Sequence, residues 1–468
     1  MTRQVTQLSP TGQVPRKRDP RLDFFRGVAM FIIFMAHLPG NFFTLYIPAR
    51  FGWSDATEIF VFCSGMASAI AFGAVFKNHG WMMGTFRILH RMWQVYWAHI
   101  GLFCAVLSLM ILQTWASSTG ALCFYEGSRL CGSPETGPAW NYVGRLNIGH
   151  FLETGTGSPT STNFLAFMTL TWVPNLFDIL PMYFGILALV PIIIALYHIH
   201  PIAAAAFSLT LWLAAQEWVF RLIGLDGYAL SLPAEPWSDR EWFFNPFAWQ
   251  LVFFTGFALM AGWLPKPPVK KSLIVICIAF VAITIPFAFW GIYRSETISL
   301  FGLASFDLSW ANLKATREAI SDFRQKTDFG ILRYLHFLAL AYLFWILAGE
   351  GGNNLDFQSR IGKWFVKIVH KVGQQSLATF MGGLFLARFC GFINNIINRN
   401  LGSVLFENES LAYWYNWFQM TLVNLLGMAG MVAIAYLVGW IKKTPWKNDT
   451  KQQPTVIAKD DIRRQLAD

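Results

Sequence analysis

Three ionisable residues stand in the first apolar stretch of this chain, where such residues are costly. The stretch reads Arg21-Leu-Asp-Phe-Phe-Arg-Gly-Val-Ala-Met-Phe-Ile-Ile-Phe-Met-Ala-His37 and carries Asp23, Arg26 and His37. An ionisable group in hydrocarbon costs roughly 2.5–3.5 kcal/mol on insertion scales, so these three are expected to face protein rather than lipid. At about 100° per residue, Arg26 and His37 return to within ~20° of one another, about 16.5 Å apart along a helix axis, and Asp23 lies within about 60° of the same stripe. One helix face thus presents an acid, a guanidinium and an imidazole. An imidazole titrating near neutrality suits a general base. A guanidinium suits the charge of a carboxylate, a phosphate or a thioester oxygen. The plain alternative is Asp23 and Arg26 snorkelling to one membrane surface, with His37 closing the helix at the other.

A second polar cluster opens the next apolar run, where Asp55-Ala-Thr-Glu58 precedes Ile-Phe-Val-Phe-Cys-Ser-Gly65. Spaced as i and i+3, Asp55 and Glu58 share a helix face. Either carboxylate would orient the His37 ring, as a carboxylate does for a catalytic histidine. Acids here also suit an N-terminal cap, which accounts for Asp55 better than for Glu58. Ser64, Gly65, Ala67, Ser68 and Ala69 form a small-residue surface suited to close helix packing.

Long apolar elements must position these groups. The chain has 468 residues, 55% hydrophobic and 13% charged, and a mean hydropathy of +0.42. A soluble domain carries about 25% charged residues, and lipid-facing surface accounts for the deficit. Runs of spanning length recur at Leu22–Leu38, Thr57–Phe76, Met92–Gln113, Asp178–His198, Ile202–Arg221, Phe247–Leu264, Ser272–Tyr293, Gly330–Leu347, Gln374–Ile397 and Tyr415–Lys442. They predict an all-α polytopic transmembrane bundle of about ten spans. Asn163–Trp172 is too short to cross and reads as interfacial. The organisation is a disordered tail over 1–20, a membrane domain over 21–443 with long outer connections at 114–177 and 294–329, and a second tail over 444–468.

Orientation follows from the basic residues. With the N-terminus inside, inner segments hold 22 Lys and Arg and outer loops 10, so both termini are expected in the cytoplasm. The same distribution explains the net charge of +10 without nucleic acid. Of six Cys, Cys63, Cys104, Cys277 and Cys390 fall in apolar runs as packing residues. Cys123 and Cys131 share an outer connection where a disulfide can form in an oxidising compartment. No Walker loop, dinucleotide turn or HExxH is present, which weighs against an ATP-driven pump and a zinc protease. His198 and His200 are spaced like a weak metal pair without further ligands, so no metal site is expected.

Arg26, ten residues and His37 resemble the Arg–X10–His signature of the acyltransferase-3 membrane proteins. Arg21-Leu-Asp-Phe-Phe-Arg-Gly, His37-Leu-Pro-Gly-Asn41, Phe51-Gly52 and Ser54-Asp-Ala-Thr-Glu-Ile-Phe-Val-Phe-Cys-Ser-Gly65 are similar to the OpgC proteins within that group. Asn245-Pro-Phe-Ala-Trp-Gln250 and Gly373-Gln-Gln-Ser-Leu377 fit the same subgroup. The resemblance implies a multi-pass enzyme of the bacterial inner membrane. It would move an acyl group, succinyl first, from a cytoplasmic acyl-CoA co-substrate to hydroxyls of a periplasmic glucan, with no resident cofactor.

On that reading His37 is the base, Glu58 and Asp55 orient it, and Arg26 stabilises charge near the donor. Asp23, Asn41, Asp178, Asn245, Trp249, Gln250 and His336 are candidates for substrate contacts. Lys77, Arg87, His90 and Arg91 crowd an inner loop where CoA phosphates would meet them. Ordinary positive-inside anchoring explains the same basic loop. A covalent acyl-histidine is the rival mechanism. Other acceptors, such as another envelope polysaccharide or a lipid, change only the substrate. A secondary transporter would use intramembrane charge as an ion path, but it should repeat that charge in two halves, whereas here it gathers in the first two helices.

Overall fold

A computed structural model describes residues 19–119, 160–289, 310–401 and 409–444. Most of both tails, the middle of the two long connections, and Cys123 and Cys131 lie outside the described residues. The described chain is helical, with an isolated bridge between Pro233 and Glu241 as its β pairing. Among the described residues, four helices are long and apolar enough to cross a membrane: Ala56–Ala116, Ile179–Ile199, Ser376–Ile397 and Leu411–Ile441. Shorter apolar helices stand beside them at Pro201–Ala214, Pro246–Ala261, Lys271–Phe287 and Ile331–Leu347. These helices make the chain a membrane protein.

The first helix, α1 (Pro20–His37), starts where the Asp19 side chain accepts the Arg21 backbone N–H at 3.0 Å and Pro20 occupies the first turn. The second, α2 (Ala56–Ser118), contains 63 residues. Straight, it would measure about 95 Å, roughly three times the hydrocarbon thickness. It is broken at Gly80, whose φ of 80° and ψ of 174° are open only to glycine. Beyond the break the chain doubles back, because a side chain at Gly84 would strike the Phe76 ring. In an unbroken helix those two positions would stand about 12 Å apart. Thr57–Phe76 and Met92–Gln113 are therefore limbs of one broken helix. The inner loop expected at Lys77–Arg91 is helical on both sides of Gly80, and Gly80 alone departs from helical backbone conformation there.

The remaining expected runs correspond to α4 (Ile179–Ile199), α5 (Pro201–Ala214), α7 (Pro246–Ala261), α8 (Lys271–Thr284), α11 (Ile331–Leu347), α13 (Ser376–Leu401) and α14 (Glu409–Ile441). The short apolar segment is α3 (Thr160–Met168). Two runs end early. The run from Ile202 breaks at Gln216 into α5 and α6 (Glu217–Leu222). The run from Ser272 ends at Thr284, ahead of Pro286. Polar sequence conceals three further helices, α9 (Trp310–Ala319), α10 (Ser321–Arg324) and α12 (Arg360–Gln374). Helix α12 is amphipathic, with Val366, Val369 and Val372 buried and Arg360, Lys363 and Lys367 exposed.

Two reciprocal glycine contacts draw the site-bearing helices together. Along α2 and α7, a methyl at Gly65 would collide with the Phe253 carbonyl, and one at Gly256 with the Phe62 carbonyl. Along α1 and α12, Gly27 lies on the Val369 carbonyl and Gly373 on that of Asp23. Small residues let backbones approach closely where lipid provides no hydrophobic drive. The expected small-residue surface thus acts through Gly65. Replacing Gly65 with Val should force α2 and α7 apart, at about 1–3 kcal/mol for overpacking. Thermal unfolding in detergent should show a clear drop, and an unchanged midpoint would refute the close crossing.

Candidate active site

The site grows from the N-terminus of α2. Asp55 caps the helix by accepting the Thr57 N–H at 2.7 Å, and Glu58 returns to accept the Asp55 N–H at 2.8 Å. This capping box accounts for both acids at the backbone. Their remaining oxygens are taken by cations from a distant segment. Lys326 Nζ lies 2.6 Å from Asp55 Oδ2, and Arg333 Nη1 donates to Glu58 Oε1. Glu58 is fully buried. Burial opposes ionisation of Asp55, but Lys326 and Arg333 outweigh it and hold that carboxyl below its ordinary range.

Lys326 and Arg333 reach the acids because a strap over residues 325–330 is fastened at several points. Trp249 Nε1 donates to the Lys326 and Thr327 carbonyls at 3.0 and 3.2 Å. Trp212 Nε1 donates to the Phe329 carbonyl at 3.0 Å, and Gln216 Nε2 to the Asp328 carbonyl at 2.5 Å. Asn245 Nδ2 donates to Asp328 Oδ1 at 3.1 Å. Burial raises the Asp328 carboxyl to about 6, against the Asn245 hydrogen bond that favours ionisation.

His37 stands at the C-terminal end of α1, within electrostatic range of Asp55, Lys326 and Arg388. Its Nδ1 lies 2.7 Å from the Ile33 carbonyl oxygen. That oxygen only accepts, so Nδ1 carries the proton and Nε2 presents its lone pair. The ring is fixed by a backbone carbonyl instead of by the carboxylate anticipated from sequence, because Lys326 and Arg333 engage Asp55 and Glu58. Helix α13 runs alongside. Arg26 donates to the Ser376 hydroxyl near its start, and Gly391 packs on Pro39 near the far end. Arg388, on the turn before Gly391, is thereby carried to His37.

The other sequence candidates divide. Asp23 is buried where α1 meets α12, with its carbonyl against Gly373. Asn41 and Asn424 form a buried reciprocal amide pair, at 3.0 and 3.1 Å. Gln250 is closed on Ser208 at both ends of its amide, and Asn245 and Trp249 hold the strap. These four serve the scaffold and offer no free amide or indole to a substrate. Asp178 is buried within electrostatic range of Arg240. His336 Nδ1 lies 2.8 Å from the Ser54 hydroxyl, one residue before Asp55. Lys77, Arg87 and His90 are exposed and Arg91 is half-buried, with Arg91 and His90 both bonded to Gln94 at 3.1 Å. His200 caps α5 by accepting the Ile202 N–H at 3.2 Å. Of the packing cysteines, Cys63 and Cys277 are buried, whereas Cys104 is exposed. Among the described residues no three His, Cys, Asp or Glu side chains converge to hold a metal ion.

Sequence reasoning missed Lys326, Arg333 and Arg388. Arg333 and Arg388 were visible as charges within apolar runs, the same signal that marked Arg26. Lys326 was hidden in a polar connection rich in charge.

The family model described as OpgC protein matches residues 18–443. The chain belongs to the OpgC protein family. Neither a curated protein nor a solved structure matches it.

A carboxyl with a raised pKa binds its proton more tightly in the folded protein than in the unfolded chain. Asp328 therefore withdraws stability as pH rises from about 4 through about 6, on the order of 2–3 kcal/mol. Asp328→Asn keeps the acceptor for Asn245 and removes this titration. The gain of the variant over the parent protein should grow across that window and level off above it, in thermal unfolding at pH 4, 5, 6 and 8. A gain independent of pH would refute the assignment.

Proposed function

We propose that this chain is an O-acyltransferase that moves an acyl group from a cytoplasmic acyl-CoA to a hydroxyl of a glucan on the periplasmic side. The OpgC family is one of glucan-modifying acyltransferases, and membership supports the reaction class. The observation that carries the reading is the His37 ring, with Nδ1 tied to Ile33 and Nε2 left for a substrate proton. In the expected topology, about ten crossings with both termini cytoplasmic, His37 lies toward the periplasmic side and Arg87, His90 and Arg91 toward the cytoplasm.

In the transfer, Nε2 of His37 takes the proton as the sugar oxygen attacks the thioester carbonyl. The new C–O bond forms and the C–S bond breaks. The proton passes to the departing thiolate, leaving an ester and free CoA thiol. General-base assistance of this kind contributes roughly 10²–10⁴-fold. Arg26 stands about 16.5 Å along the helix from the base, on the donor side. Arg87 and Arg91, beyond the Gly80 break, suit the donor phosphates. Succinyl is the acyl group favoured by the family resemblance.

Glucans from cells with and without the gene should differ by mass increments of about 100 Da per succinyl ester, or about 42 Da for acetyl (ester mass arithmetic). His37→Ala should abolish the increment at normal membrane expression. A normally expressed, fully active His37→Ala protein would overturn the reading.

A further inference from the structure

The charges around His37 do not balance. Lys326 is matched by Asp55 and Arg333 by Glu58, whereas no carboxylate among the described residues pairs with Arg388. Its Nε is buried without a hydrogen-bond partner, and among the described residues no group accepts from its guanidinium. A planar cation with five donors, largely withdrawn from water and unpaired, is an expensive arrangement for the protein alone. It becomes favourable once an anion fills the fork. The contact of Gly391 with Pro39 sets Arg388 against the end of α1 that bears the catalytic base.

We propose that Arg388 binds the free carboxylate of a dicarboxylic acyl group, so that this residue selects an acidic acyl chain over a neutral one. The inference rests on the acyl-transfer reading of His37. The reacting carbonyl must lie near His37 Nε2, and a four-carbon diacid carries its second carboxylate roughly 4–5 Å further along the chain. A neutral sugar hydroxyl brings no charge to the fork. Lys326 and Arg333 are committed to carboxylates of the protein, which leaves Arg388 to read the substrate.

Succinyl-CoA and butyryl-CoA have acyl chains of equal length and differ in the terminal carboxylate. The full-length protein in lipid nanodiscs would receive both donors at equal concentration with an unsubstituted glucan. The products are counted as additions of about 100 and about 70 Da (ester mass arithmetic). The parent protein should favour succinyl, and Arg388→Gln should lower the succinyl-to-butyryl ratio on the order of 100-fold, as when a binding group loses its charged partner. Arg388→Lys, which keeps the charge without the fork, should fall between and serves if the Gln variant does not accumulate.

A ratio unchanged in both variants overturns the proposal, because a merely structural arginine would depress both donors together. A parent protein that prefers butyryl overturns it too. Equal loss with both donors, seen only when the glucan carries phosphate substituents, would assign Arg388 to the acceptor and overturn it as well. If the parent protein transfers neither acyl group while folded, the acyl-transfer reading itself fails, and this inference with it.

Discussion

Two carboxylates at the mouth of α2, Glu58 buried and Asp55 half-buried, set the terms for the rest of the structure. Asp55 and Glu58 are satisfied at the backbone by their capping box, yet two negative charges so close and so withdrawn from water would repel and resist ionisation. They are tolerable because Lys326 and Arg333 arrive from more than 260 positions along the chain, with sequence separations of 271 and 275. That delivery explains the strap. Trp212, Gln216, Asn245 and Trp249 spend their side-chain donors on its carbonyls and on Asp328, so the backbone from 326 to 329 is held at several points. Trp212, Gln216, Asn245 and Trp249 are explained by this one duty, while Ser208 of α5 and Gln250 of α7 engage each other.

The helices that carry the site are held by a different device. Glycine pairs bring α2 onto α7 and α1 onto α12 at backbone contact. Closely seated helices fix the angles at which Arg26, His37 and Glu58 project. Helices α1 and α13 then form a ladder. One rung is Arg26 with Ser376, and the other carries His37 with Arg388. Each rung bears a guanidinium, a costly group within an apolar bundle.

Much of this was legible in the sequence, for identifiable reasons. Apolar runs longer than a dozen residues announce helices, and nearly all the expected runs are helical. Arg26 and His37 stood out because charge in an apolar run is rare. The breaks were harder to read. Gly80 divides α2 by backbone conformation alone, which composition shows poorly among helix formers such as Trp81, Met82 and Met83. Helix α12 was concealed because its basic face lowers hydropathy, although Val366, Val369 and Val372 follow helical spacing. Asn245, Trp249 and Gln250 looked like binding residues because they carry hydrogen-bonding side chains at the start of an apolar helix. The partners of Asn245 and Trp249 lie in a segment some 80 residues away and that of Gln250 lies 42 residues away, which no local pattern reveals. Lys326 escaped notice for the same reason.

The way the imidazole is held bears on the choice between direct transfer and a covalent acyl-histidine. With Nδ1–H donating to the Ile33 carbonyl, acylation at Nε2 would leave the ring as a cationic acyl-imidazolium. A carboxylate at Nδ1 would offset that charge, as in hydrolase triads. A backbone carbonyl cannot take the proton, and the nearby carboxylates are already paired with Lys326 and Arg333. The added charge would also face the Arg388 guanidinium. In direct transfer the ring carries the proton only between the attacking hydroxyl and the departing thiolate. On the proposed reading, the ring is cationic only in passing as a base, whereas an acyl-histidine would hold that charge for the life of the intermediate with both nearby carboxylates already paired.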